Sequence, residues 1–291
     1  MMDWFADNET LLQQIGVFAI AAASLQVALR AGVFSLVGAG TWMIGAYAAA
    51  IALDDGMPPF VALLIALALA ALVSLALSLL TIRIDGLTLA MATIAFDLIV
   101  VVVIRNWESL TGGALGLYAI PVSVSSTGLA VIVVAVAVVL MLVERGRQGR
   151  AVVALREDVQ AAAAVGVPVP LARHLVTTVS GVLGALSGAI YAMMFNAIAP
   201  DQGGFHLVTL LLSMVVIGGI DSWRGAYVGA ALLMFLPEIS RTFNEWNGLI
   251  YGALMVLVVV WAPEGVLGGL RKVRELLPRR AGPSRAEASS S

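Results

Sequence analysis

Pro59 to Ile82, PFVALLIALALAALVSLALSLLTI, runs without one charged side chain. As a helix it would be about 36 Å long at 1.5 Å per residue, enough to cross the roughly 30 Å hydrocarbon core of a bilayer. The same reading extends over the rest of the chain. Apolar stretches recur at Leu11 to Leu29, Gly32 to Leu53, Gly86 to Ile104, Ser123 to Val143, His174 to Ala199, His206 to Ile220, Gly225 to Ile239 and Gly248 to Ala262. The fold class is therefore all-α, a polytopic transmembrane helical bundle of about nine spans. The seventh and eighth are short and meet at a glycine-rich corner, Gly218 to Gly225, so either suits a half-helix or a re-entrant segment.

Composition agrees. In 291 residues, 61% are apolar and 12% charged, against the about 25% charged residues with which a soluble domain covers its surface. The net charge of −2, with basic residues scattered along the chain, gives no footprint for nucleic acid. The absence of cysteine removes disulfides, thiol nucleophiles and thiolate metal sites from consideration.

Orientation follows from counting basic residues in alternate loops. One set, Arg30, Arg83, Arg145, Arg147, Arg150, Arg156, Arg173, Arg224 and the cluster from Arg271 to Arg285, holds 14 of the 16, and Arg105 and Arg241 make up the other. The richer set is expected in the cytoplasm. Residues 1–10, with Asp3, Asp7 and Glu9 and no basic region of the signal-peptide kind, then form a periplasmic N-terminus. Residues 11–270 form the transmembrane domain, and 271–291 a basic, Ser- and Ala-rich cytoplasmic tail expected to be disordered.

The long inward loop, Glu144 to Arg173, carries five Arg and three acidic residues. Ala151 to Val165 reads as one amphipathic helix, with Gly166 and Pro168 ending it. Ala161 to Ala164 would offer a smooth patch to another protein's backbone; physics alone equally allows a helix lying on lipid headgroups.

The run Arg156-Glu157-Asp158-Val159-Gln160-Ala161-Ala162-Ala163-Ala164-Val165-Gly166-Val167 resembles the cytoplasmic coupling loop of ABC importer permeases, whose pattern is Glu-Ala-Ala with Gly three residues later. More narrowly, it resembles the LivM-type permease subunits for branched-chain amino acids. Three further segments resemble that family: Asn106 to Gly113 with Gly116 and Pro121, Ser180 to Ala192, and Ile217-Gly218-Gly219 with Gly225 and Gly229. Gln160 stands where the broad motif has Glu, and Asp97 where the narrower family tends to have Glu. The resemblance implies a multi-pass protein of the bacterial inner membrane that works by alternating access. It also implies partners: cytoplasmic ATP-binding subunits, a second homologous permease subunit, and a periplasmic or lipid-anchored substrate-binding protein. Arg156, Glu157, Asp158, Gln160, Ala161, Ala162 and Gly166 are the implied contacts to the ATPase.

Asp97 lies mid-span, where an ionised carboxylate costs a few kcal/mol unless it faces the bundle or a water-filled path. It reads as a pathway or gating residue, or as a hydrogen-bonded packing group. Glu238, after Pro237 where the helix should break or kink, is a second pathway candidate. The glycines at 38, 40 and 45, and the Gly184 to Gly188 spacing, read as close helix packing or, for the first set, as a broken helix lining a cavity. The six tryptophans fall mostly near span ends and read as interfacial anchors beside membrane lipid.

No phosphate loop, His-Glu-x-x-His or Gly-x-Ser-x-Gly is present, so the sequence supports no catalytic residue, metal site or cofactor. Energy for transport would come from another chain. The rival reading is a secondary transporter or channel using Asp97 as an ion site; an intramembrane enzyme lacks every constellation just named.

Overall fold

A computed structural model describes residues 9–121 and 124–241, with only the backbone course over 237–241. Among these residues the chain is a helical bundle: α1 (Glu9–Arg30), α2 (Val37–Asp54), α3 (Pro59–Leu80), α4 (Gly86–Asn106), the short α5 (Glu108–Thr111), α6 (Ser126–Arg145), α7 (Arg147–Glu157), α8 (Val159–Ala164), α9 (Val169–Phe195), α10 (Phe205–Gly218) and α11 (Trp223–Arg241). Seven helical stretches are long and apolar enough to cross a membrane, the last being Pro200–Gly218, a 3-10 turn running into α10; Trp223–Leu236 is a shorter apolar helix. Eight of the nine expected spans thus have counterparts. The ninth, Gly248 to Ala262, and the tail lie outside the described residues, as does most of the N-terminal segment.

α2 and α9 form the centre. Small residues let their backbones touch: a Cβ at Gly45 would overlap Ala185, one at Gly184 the Gly38 carbonyl, and one at Gly188 the Trp42 carbonyl. In lipid, where apolar side chains gain nothing by leaving the solvent, such contact is what holds helices together. The glycines of the second span are therefore packing residues, and α2 is continuous from Val37 to Asp54. Trp42 belongs to this centre, only 1% exposed, and is not an interfacial anchor.

α3 shows how the sequence selects its buried face. Ala62, Ala66, Ala70, Ser74 and Ser78 recur every fourth residue and are all buried, while Phe60, Leu64, Leu72, Leu79 and Leu80 point outward. Residues four apart lie on one side of a helix, so the small stripe packs on α2 and α9 and the leucines meet lipid. α1 buries its second half against α9 and α11, and α6 rests on α1.

At one end of the bundle, Leu117–Tyr118 (β1) pairs antiparallel with Ala197–Ile198 (β2). Asn196, left-handed at φ 52°, ends α9 and donates its side-chain amide to the Ile120 carbonyl at 2.9 Å. These short strands are the departure from a purely helical reading. At the opposite end lie three ion pairs: Arg30 with Glu144, Arg156 with Asp221 at 2.7 Å, and Arg173 with Asp85 at 2.5 Å.

Several expected boundaries move. The second span begins at Val37, not Gly32, because residues 31–36 cross the end of the bundle without helix. α9 starts at Val169, inside the expected loop, since Pro168 and Pro170 suit the start of a helix, where a missing N–H leaves no bond unmade. α11 continues past Pro237 to Arg241 and does not break there.

Candidate functional site: the α7–α8 element and its seat

The single helix expected over Ala151 to Val165 is two. Asp158 leaves the helix at φ −155°, ψ 114°, and its Oδ1 accepts the amides of Gln160 at 2.7 Å and Ala161 at 3.1 Å. A carboxylate that caps the start of α8 competes with continuation of α7, and the chain turns there. At the far end, Gly166 adopts φ +84°, its amide donates to the Ala163 carbonyl and the Val167 amide to the Ala162 carbonyl, both at 3.0 Å. That pair of bonds is the Schellman closure, which calls for a left-handed residue where glycine sits.

Burial sorts the predicted contact residues. Glu157, Gln160, Ala161 and Gly166 are exposed, together with Ala163, Ala164 and Val165. Ala162 is only 1% exposed and faces the protein, so the small-residue patch does not include it. Arg156 is tied to Asp221 of the α10–α11 corner, and Asp158 is occupied as the cap.

The element is seated by apolar packing. Leu155, 2% exposed, joins Ala28, Ala31, Val33, Leu89 and Val176 in a small cluster distinct from the main core. Burying a leucine to this degree stabilises by about 2 kcal/mol. Gly32, at φ +72°, lies against the Arg156 backbone. Beside this seat is a polar knot. Glu144 pairs with Arg30 and accepts the Trp223 amide at 2.8 Å, while the buried Gln26 amide donates to the carbonyls of Gly219, at 3.2 Å, and Ser222. The corner between α10 and α11 is tight enough that a Cβ at Gly218 would overlap the Gly225 carbonyl.

Asp97 is also placed. It is 1% exposed, and its Oδ1 accepts the Gly40 amide at 2.8 Å. One turn earlier on the same face of α4, Thr93 Oγ1 accepts the Leu36 amide at 3.1 Å. The first amides of a helix have no partner within it, and hydrocarbon supplies none, so α4 caps the start of α2 from outside. The structure thus brings Asp97 together with Gly40 in the manner of a packing carboxylate. Glu238 lies in α11, its side chain outside the described set.

The comparisons with known proteins follow the same lines. The family model for the branched-chain amino acid transport system permease component matches residues 9–259. The chain belongs to this family. The permease protein LivM of the Escherichia coli K12 high-affinity branched-chain amino acid transport system is 28% identical over 263 residues, which cover 78% of this chain and 62% of LivM. The chain therefore spans less than two thirds of the length of that relative. LivH of the same organism, a permease protein of the same system, is 27% identical over 130 residues, 44% of this chain and 42% of LivH. LsrC of Enterobacter sp. strain 638, an autoinducer 2 import system permease protein, is 28% identical over 230 residues, 74% of this chain and 66% of LsrC.

This permease component is a multi-pass protein of the inner membrane. Four residues of the candidate site and its seat escaped the sequence reading: Leu155, Thr93, Gln26 and Glu144. Leu155 was within reach, as the large apolar residue on a polar helix. Thr93, one turn before Asp97, was a weaker sign. Gln26 and Glu144 meet partners far along the chain, and no local pattern announces that.

Proposed function

We propose that this permease component forms part of the transmembrane pathway of an ATP-driven importer for branched-chain amino acids or related solutes. One of two cytoplasmic ATP-binding subunits would seat on the exposed face of α7 and α8, a second homologous permease would seat the other and complete the pathway, and an external binding protein would deliver the solute. The observation that carries the reading is the two-sided α7–α8 element: Leu155 and Ala162 buried inward, Glu157, Gln160, Ala161 and Val165 free outward. An element anchored by one face with small residues on the other suits docking and transmission. ATP hydrolysis belongs to the partner chains in this reading, and the solute class follows relatives named for amino acids and for autoinducer 2.

The test is reconstitution in proteoliposomes with candidate ATPase, second-permease and binding-protein subunits from the same organism. Uptake of leucine or a related solute is expected to require ATP and all components. Uptake by this chain alone, driven by a proton gradient, would replace this reading with the secondary-transporter rival that uses Asp97.

A further inference from the structure

Thr93 and Asp97 connect two regions that no other reading of them joins. Residues 31–36 leave α1, pass the coupling element and enter α2. On one side of this strap, Ala31 and Val33 share the small apolar cluster with Leu155, and a Cβ at Gly32 would come within 3.2 Å of the Arg156 Cα. On its other side, Leu36 at its end and Gly40 in the first turn of α2 give their amides to Thr93 and Asp97 of α4. Thr93 is itself held, its hydroxyl lying 3.0 Å from the Ala90 carbonyl of its own helix.

α4 also enters the main core through Ala90, Val100 and Ile104. Its packing is mainly with α2, and Met91, Leu98, Ile99 and Val102 point outward. Asp97, Thr93 and Leu89 are three of its six buried residues, and Leu89 lies in the Leu155 cluster as well. A side-chain oxygen on a free helix-start amide is a short, directional contact in a medium without competing water.

We infer that Thr93 and Asp97 are positioning residues that make α4 follow the α7–α8 element: displacement of α7 moves the strap and the first turn of α2 that it enters, and these carry α4 through the Leu36 and Gly40 amides. The inference rests on the proposed importer and deepens it by naming the residues through which the stroke reaches α4. Asp97 acts here as a hydrogen-bond acceptor. Its partner is backbone, so an amide side chain can replace it.

The cysteine-free chain permits a direct measurement. Spin labels at Met91→Cys on α4 and Leu175→Cys on α9, both outward-facing, report the distance between the helices in the assembled complex. Adding ATP should shift that distance by about 2 Å or more, on the scale of helix movements at switching interfaces. Asp97→Asn should preserve the shift and uptake. Asp97→Leu and Thr93→Val should retain assembly and basal ATP hydrolysis while uptake falls roughly tenfold and the shift is lost, with the double variant no worse than Asp97→Leu. Thr93→Val changes shape little, which keeps the test decisive if Asp97→Leu fails to insert.

A full shift and uptake in both Asp97→Leu and Thr93→Val would overturn the inference, as would wild-type uptake without movement of α4. Loss in Asp97→Asn equal to that in Asp97→Leu would also overturn it, because charge and not acceptance would then matter. Failure of the wild type to bind or stimulate any ATPase would instead remove the importer reading on which it rests.

Discussion

Gly188 of α9 lies so close to Trp42 of α2 that a Cβ on the glycine would overlap the tryptophan carbonyl oxygen. The neighbouring approaches, Gly184 to the Gly38 carbonyl and Gly45 to Ala185, repeat the contact along the same pair of helices. Nothing flexible stands there to move aside. Inserting a methyl group must separate two backbones, and overpacking of this kind costs about 1–3 kcal/mol. Gly188→Ala is expected to lower the thermal midpoint of the detergent-solubilised protein, and Gly188→Val to abolish its recovery as a monodisperse species. Gly128→Ala is the control: Gly128 is likewise helical and has no left-handed φ, and the atoms nearest an added Cβ are side-chain atoms, at 3.3 Å from Ser125 Oγ and 3.4 Å from Val124. A Gly188→Ala protein as stable as the wild type would show that α2 and α9 are not held by backbone contact.

Gly166 is a different case, since nothing lies within 4 Å of a Cβ built there and only its φ of +84° resists a side chain. Asn tolerates the left-handed region and a β-branched residue does not, the difference being about 1–2 kcal/mol per residue. In the assembled importer, Gly166→Asn should keep solute-stimulated ATP hydrolysis within about twofold of wild type, whereas Gly166→Val should reduce it roughly tenfold. Equal, severe loss in both variants would place the ATPase surface directly against Gly166 and make contact, not loop conformation, the reason for glycine.

The spans were legible because the bilayer imposes one requirement on every segment: enough consecutive apolar residues to cross it, with all backbone bonds made internally. Pro59 to Ile82 satisfies that without ambiguity, and its every-fourth small residues even mark the buried face of α3. The helical content of the Glu144 to Arg173 loop was legible, but not its division into two helices. Asp158 ahead of an Ala-rich run is a helix-start signal, yet the surrounding residues all favour helix, and only the cap geometry shows that α7 stops there. Asp97 announced that it needed a partner but could not say which. Its partner is the backbone amide of Gly40, 57 positions away, and a backbone group leaves no mark in a sequence. Gln26 is further removed still, meeting the corner at Gly219 across 193 positions.

Sidedness is the remaining expectation that the fold makes easy to test. The basic-residue count places Arg30, Asp85, Glu144, Arg156, Arg173 and Asp221 on one side of the membrane, and the three ion pairs Arg30 with Glu144, Arg156 with Asp221 and Arg173 with Asp85 require the members of each pair to share a side. The β1–β2 pairing likewise requires Leu117 and Ile198 to share a side, and that is the side the count makes periplasmic. A wrong number of crossings between any of these residues would separate partners that the fold joins. With no native cysteine to interfere, single cysteines at Asp54, Leu115 and Asp201 should react with a membrane-impermeant maleimide added to intact spheroplasts, because all three are exposed at that end. A cysteine at Ala163 or Val165 should react only after permeabilisation. Labelling of Ala163→Cys from outside, with Leu115→Cys protected, would invert the protein in the membrane and remove α7 and α8 from the reach of a cytoplasmic ATPase.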